Sequence, residues 1–135
     1  MIAASRGANA YRRIESESRS PLELVVMLYD GALKFLGEAR DAGVRGDIRA
    51  RGHAISRVLA IVSELQNTLD VDKGGAVAEQ LDNLYTYATS RLIDVTLKQD
   101  LAAIDEVQKL LIPLRDAWGQ LASQPAAMTE AAVTR

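Results

Sequence analysis

Residues 20–39 read SPLELVVMLYDGALKFLGEA, and they open with a complete helix-start signal. Ser20 offers a hydroxyl to cap the first turn, Pro21 stands where a missing N–H costs nothing, and Glu23, three residues after the cap, completes a capping box. Apolar side chains then recur at Leu22, Val25, Leu28, Tyr29, Ala32, Leu36 and Ala39, the three-and-four spacing that gathers them on one face of an α-helix. Leu24, Val26, Leu33 and Phe35 widen that face to an arc of roughly 200°, about twice the stripe of a helix with one buried side. Such a helix has neighbours on two sides, or it has a partner.

The flanking sequence supplies the neighbours. In GVRGD, residues 43–47, Gly43 suits a helix end, Gly46 a turn and Asp47 the next N-cap. A second helix follows on Ile48, Ile55, Val58, Ile61, Val62, Leu65 and Leu69, and ends at DVDKGG, residues 70–75, which is turn chemistry throughout. The third, from residue 76 to about residue 97, carries a stripe of Val77, Leu81, Leu84, Tyr85, Ala88, Leu92 and Val95, with Tyr87 and Ile93 pointing away from it. Asp100 is the expected cap of a fourth helix built on Leu101, Ile104, Val107, Leu111, Leu114, Trp118 and Leu121. Pro113 falls inside that helix, where it removes a hydrogen bond and clashes with the preceding turn at a cost of about 3 kcal/mol, so a kink is predicted near residues 109–113. No segment alternates with a period of two. Four amphipathic helices joined by short turns predict an all-α fold, an antiparallel four-helix bundle.

The ends lack this pattern. Residues 1–19 predict a mobile N-terminal arm, relieved only by Tyr11 and Ile14, which are three apart and able to dock together on the body. Residues 123–135 are alanine-rich with Pro125 and either add a short helix or fray. The expected division is therefore an arm at 1–19, a helical bundle domain at 20–122 and a C-terminal tail at 123–135.

With 135 residues the chain has the size of one domain that can bury a core without metal or disulfide, and it has no cysteine for either. Its net charge is −2, and the one dense basic group, Arg45, Arg49 and Arg51, is a poor footprint for nucleic acid. The opening MIAASRGANA lacks the apolar run of a secretory signal, and no later run approaches the ~18 apolar residues of a membrane span. The expectation is a soluble, unsecreted protein with no nucleic-acid partner and no membrane insertion.

Motifs for chemistry are absent. His53 is the sole histidine, set beside Gly52 at the edge of an apolar stripe, and the wheel positions bring no pocket of carboxylates to it. The Glu-x-x-His pattern of di-iron bundles is missing. Asp70 and Asp72 resemble the opening of a calcium loop, but the twelfth position of that register is Leu81 instead of a glutamate. Gly74-Gly75 before a helix has no Lys-Ser/Thr pair to make a phosphate loop. The reading is no catalytic residue, no cofactor and no metal.

What rises above background is apolar surface. Leu24, Phe35, Ile61, Tyr87, Ile93 and Leu110 lie at or beyond the edges of the core stripes, and as a set they suggest a groove for an amphipathic partner segment. Tyr11 and Ile14 on the arm would cover that groove when it is empty, keeping an apolar patch from water. A structural, self-associating helical bundle would use the same surface against its own copies, and a small enzyme or ligand-binding bundle, which would need a pocket converging on His53, is the further alternative.

Several stretches in order carry a resemblance: Ala10-Tyr11 ahead of the capping box, Leu28-Tyr29-Asp30-Gly31-Ala32 with Phe35-Leu36, Glu64-Leu65 to Leu69-Asp70, Gly74-Gly75, Asn83-Leu84-Tyr85, and Leu114-Arg115-Asp116-Ala117-Trp118. Together they resemble the flagellin-specific export chaperones, the FliS family. The resemblance implies a cytoplasmic helical-bundle chaperone and no enzyme. Such a chaperone holds the C-terminal segment of newly made flagellin, prevents premature filament assembly and delivers it to the flagellar type III export gate. Flagellin's terminal helices polymerise by burying their own apolar faces, so covering one set blocks assembly without covalent chemistry. The resemblance also implies that the arm around Tyr11 occupies part of the client site in the free protein, and it leaves room for a regulatory competitor at the same site.

Overall fold

The computed structural model of the chain describes residues 20–124. They form four helices and no strand: α1 (Pro21–Arg45), α2 (Ile48–Asn67), α3 (Val71–Lys98) and α4 (Ala102–Ala122). Helix α1 packs on α2 and α4, and α3 packs on the same two, so the helices form a ring in sequence order with α1–α2 as its most extensive interface. This is the all-α four-helix bundle. The capping box is present in both halves: the Glu23 N–H donates to Ser20 Oγ at 3.1 Å, and the Ser20 N–H donates to Glu23 Oε1 at 3.5 Å.

The core follows the stripes with local corrections. Leu22, Tyr29, Leu36, Ile55, Val58, Leu65, Tyr85, Leu92, Ile104 and Leu111 are all but inaccessible, and Trp118 closes one end. At its centre the Tyr29 and Tyr85 hydroxyls bond each other at 2.6 Å. Burial pushes both phenols above their ordinary pKa. Ala78 takes the core position expected of Val77, which is exposed, and Ile48, at the first position of α2, is exposed as well. Leu24, expected beyond the stripe, is buried.

The helix ends also differ from expectation. Helix α1 runs past Gly43 to Arg45, and Gly46 is its left-handed cap at φ 78°, with its N–H donating to the Ala42 and Gly43 carbonyls. Gly43 serves another purpose: a Cβ there would lie 2.6 Å from Leu101 Cδ2, so the bare backbone makes the seat for that leucine. Asp47 caps α2 as expected, accepting from the Ala50 N–H at 3.0 Å. The stretch 70–75 is a helical turn capped by Asp70, joined to the body of α3 through Gly75 at φ 56°, ψ −130°, a conformation open to glycine. Asp100 does not cap α4: Leu101 holds the cap position without a side-chain bond, and the Asp100 carboxylate accepts from Arg91 at 3.2 Å. Pro113 sits inside α4, which continues as one helix from Ala102 to Ala122. Pro113 is exposed on the outer face of that helix.

Candidate functional site

The six described residues expected to line one groove occupy three places. Phe35 and Ile61 lie on the seam between α1 and α2, where the Arg57 guanidinium stacks 5.5 Å from the Phe35 ring centre. At Gly31 a Cβ would come within 3.3 Å of Ile61 Cδ1, so the glycine lets the two helices close on each other. Leu24 is three turns before Phe35 on the same side of α1 and shares its seam. Phe35 and Ile61 are partly covered, packed against the core, so this seam is largely sealed.

Tyr87 and Leu110 belong to the α3–α4 seam. The exposed Tyr87 hydroxyl donates to Glu106 Oε2 at 2.5 Å, and Leu110 stands one turn after Glu106 on α4. Arg91 organises this seam, donating from Nε to Glu106 at 2.5 Å, from Nη1 to Asp94 at 2.8 Å and from Nη2 to Asp100 at 3.2 Å. The hydrogen bond from Tyr87, followed by that from Arg91, holds the Glu106 carboxyl below the usual range, and the bond to Glu106 raises the Tyr87 phenol.

Ile93 lies on the other flank of α3. Asp82 and Thr86 face α2 there, both accepting from the Gln66 side-chain amide, at 2.8 and 3.0 Å, and Ile93 follows Thr86 by two turns. Tyr11 and Ile14 lie outside the described residues.

Sequence reasoning missed several exposed apolar side chains: Met27, Val44, Ile48, Val71, Leu97 and Ile112. Leu97 was legible, since it follows Ile93 by one turn. Val44 and Ile48 flank the α1–α2 turn, where a helix wheel loses its meaning because the chain leaves one helix for another.

Clefts among the described residues accompany these surfaces. A cleft of about 670 Å³ lies between the start of α1 and the end of α4, bounded by Val26, Met27, Gly119 and the Arg115–Asp30 ion pair, whose Nε–Oδ1 distance is 2.7 Å. A second, of about 390 Å³, brings His53 together with Glu38, Asp41, Arg45 and Arg57 beside Phe35. This corrects the expectation that no pocket of carboxylates meets the histidine. His53 is exposed there and makes no hydrogen bond or ion pair with any described residue, so neither its tautomer nor its position is set for proton transfer. The third, of about 150 Å³, sits at the end of the bundle where Gly46, Asp47 and Arg51 face Gln99 and Leu101. Among the described residues there is no cluster of three metal-ligating side chains, and no helix is long and apolar enough to cross a membrane.

Partly sealed apolar seams and open clefts are an arrangement that can bind a chain. Known proteins agree with that character. Residues 4–125 match the family described as flagellar protein FliS. The chain is 39% identical over 120 residues to the flagellar secretion chaperone FliS of Salmonella typhimurium, covering 85% of this chain and 89% of that one. It is 38% identical over 113 residues to the flagellar secretion chaperone FliS of Campylobacter jejuni, covering 84% and 88%. Against the flagellar secretion chaperone FliSB of Pseudomonas aeruginosa the identity is 31% over 119 residues, covering 85% and 94%. The chain thus belongs to the FliS family of flagellar secretion chaperones, a family of chaperones and not of enzymes.

Proposed function

We propose that the chain binds the C-terminal segment of flagellin in the cytoplasm, keeps it from polymerising before export and delivers it to the flagellar type III export apparatus. The observation that carries this reading is large apolar surface left outside a core that is already filled. Tyr87, Ile93, Leu97 and Ile48 are exposed although Tyr29, Leu36, Val58, Leu92 and Leu111 have closed the interior. Surface of this kind on several helix faces suits a long client that wraps the bundle, contacting Tyr87 and Leu110 on one seam, Ile93 on another, and Phe35, Ile61 and Leu24 only as far as the α1–α2 seam yields. A wrapped interface holds the client tightly through many small contacts and can still be peeled away at the export gate.

The arm at residues 1–19, through Tyr11 and Ile14, competes with the client for part of this surface, and a regulatory competitor would act in the same way. Calorimetric titration with a peptide covering the C-terminal segment of flagellin from the same organism tests the reading, alongside a truncation lacking residues 1–18. Stoichiometric binding with a large negative heat-capacity change is expected, since the peptide buries apolar surface and folds as it binds. Tighter binding by the truncation is expected if the arm competes. No binding by either folded form would remove the reading.

A further inference from the structure

The end of the bundle where α1 passes into α2 and α3 into α4 holds a buried charge with no partner among the described residues. Arg51 is 6% exposed, its Nε is buried without a hydrogen-bond acceptor, and its guanidinium makes no ion pair or hydrogen bond with any described residue. It lines the 150 Å³ pocket with Gly46, Asp47, Ile48, Gln99 and Leu101. Two acids of the connections at this end, Asp47 and Asp100, are already engaged. Asp47 Oδ1 accepts from the Ala50 N–H and its Oδ2 lies 3.8 Å from Arg45 Nη2, while Asp100 accepts from Arg91.

An arginine cannot shed its proton to escape burial, so its desolvation must be met by an anion or by oriented dipoles. The dipoles at this end cancel in large part, because the C-termini of α1 and α3 meet the N-termini of α2 and α4 there. None of the four supplies an acceptor to Nε. The first turn of α2 opens on the same pocket at Ile48, and of its backbone N–H groups those of Ala50 and Arg51 are already taken by Asp47. A pocket of this volume holds one planar oxyanion. On its wall the exposed Ile48 offers apolar purchase to whatever carries that anion.

We propose that the Arg51 pocket receives a single carboxylate presented by a bound peptide, with the guanidinium fork as its donor and Ile48 holding the flanking side chain. The proposal rests on the client-binding reading above as regards the peptide, but the pocket can be tested without it. The nature of the anion follows from the fork, which matches a carboxylate's two oxygens. An acidic side chain and a free C-terminus are the two sources of that chemistry.

The first arm of the test follows the Arg51 Nε–H resonance of the full chain by nuclear magnetic resonance while sodium acetate is titrated against sodium chloride at matched ionic strength. A saturable shift with acetate alone is expected, and its absence overturns the proposal. The second arm measures binding of the flagellin C-terminal peptide to the natural chain, Arg51→Met and Arg51→Lys. Removing a charge-assisted pair should weaken binding about tenfold in Arg51→Met, with a smaller loss in Arg51→Lys, which keeps the charge without the fork.

An amidated peptide and one with its Asp and Glu side chains converted to amides identify the source. Whichever carries the lost carboxylate should bind the natural chain with the same tenfold loss and be indifferent to Arg51→Met. Because the charge has no partner among the described residues, Arg51→Met should melt no lower than the natural chain. A lowered melting temperature with unchanged peptide affinity means a structural charge and overturns the proposal. An acetate shift with unchanged peptide affinity means an adventitious ion only and overturns it equally. Peptides that fail to bind the natural chain overturn the client reading and the peptide as donor, while the acetate arm still decides the pocket.

Discussion

The buried tyrosine pair lends itself to a double-mutant cycle. Tyr29 and Tyr85 are 0% and 1% exposed, and their oxygens, 2.6 Å apart, satisfy each other from α1 and α3, helices on opposite sides of the ring. Either single change, Tyr29→Phe or Tyr85→Phe, removes one hydroxyl and leaves the other buried without that partner. Losing that partner costs a buried hydroxyl about 1–3 kcal/mol, although Tyr29 keeps its contact with Trp118 after Tyr85→Phe, whereas removing both hydroxyls together leaves two apolar rings of nearly unchanged shape. Each single variant should therefore be less stable than the natural chain by about 2 kcal/mol, and the double variant should regain most of one such loss.

Urea denaturation reads this directly. The chain has one tryptophan, Trp118, buried beside Tyr29, so its fluorescence reports the same region of core. At a slope of about 1–2 kcal/mol per molar urea, a loss of 2 kcal/mol moves the midpoint down by roughly 1–2 M. Single losses that simply add in the double variant would refute the idea that each hydroxyl is the other's partner. The pair also sets an alkaline limit. Both folded phenols titrate above the unfolded value, so their contribution is complete below pH ~10 and is lost as pH rises past it. The slope is about 2.7 kcal/mol per pH unit while two tyrosines ionise only on unfolding. The double phenylalanine variant should lack that component of the alkaline fall.

Other perturbations have equally definite signs. Gly75→Ala should cost about 1–3 kcal/mol in thermal or urea unfolding, because the added Cβ meets open space and the penalty is purely that of a non-glycine residue at φ 56°. Pro113→Ala should raise the melting temperature, restoring an N–H to the interior of α4 for a gain of up to about 3 kcal/mol. Glu106→Gln should flatten the acid side of the stability profile. The folded carboxyl titrates below its unfolded value, so its contribution is present above the unfolded pKa and disappears as pH falls through the folded one. An acid profile identical to that of the natural chain would refute the Tyr87–Glu106–Arg91 linkage as an energetic unit.

The difference between what was legible in the sequence and what was not follows physical lines. Ser20, Glu23 and Asp47 were readable because a cap is a local device, completed within three residues by atoms the sequence itself names. Asp100 looked the same and was not, because Arg91, nine residues earlier, competes for the carboxylate across a turn that no local pattern describes. Gly43 and Gly75 show the same division. Both are glycines near a helix end, but one is defined by Leu101, 58 positions away in the fold's connectivity, as its tight Cδ2 approach shows, and the other by its own φ.

The expected groove separated into seams for a related reason. A helix wheel gives each residue's angle about its own axis and says nothing of which neighbour stands at that angle. Tyr87 and Ile93 both point away from the core stripe of α3, yet one leans to Glu106 on α4 and the other to the α2 flank marked by Gln66. Arg51 is the reverse case. Its spacing of four to Ile55 and seven to Val58 placed it on the buried stripe of α2, and it was grouped instead with Arg45 and Arg49 by composition. Charge at a core position of the pattern is the stronger signal. The wheel makes the arginine interior, and an interior arginine whose one carboxylate at helical spacing, Asp47, is spent as the cap of α2 directs attention to the connections at the end of the bundle, where its Nε has no acceptor among the described residues.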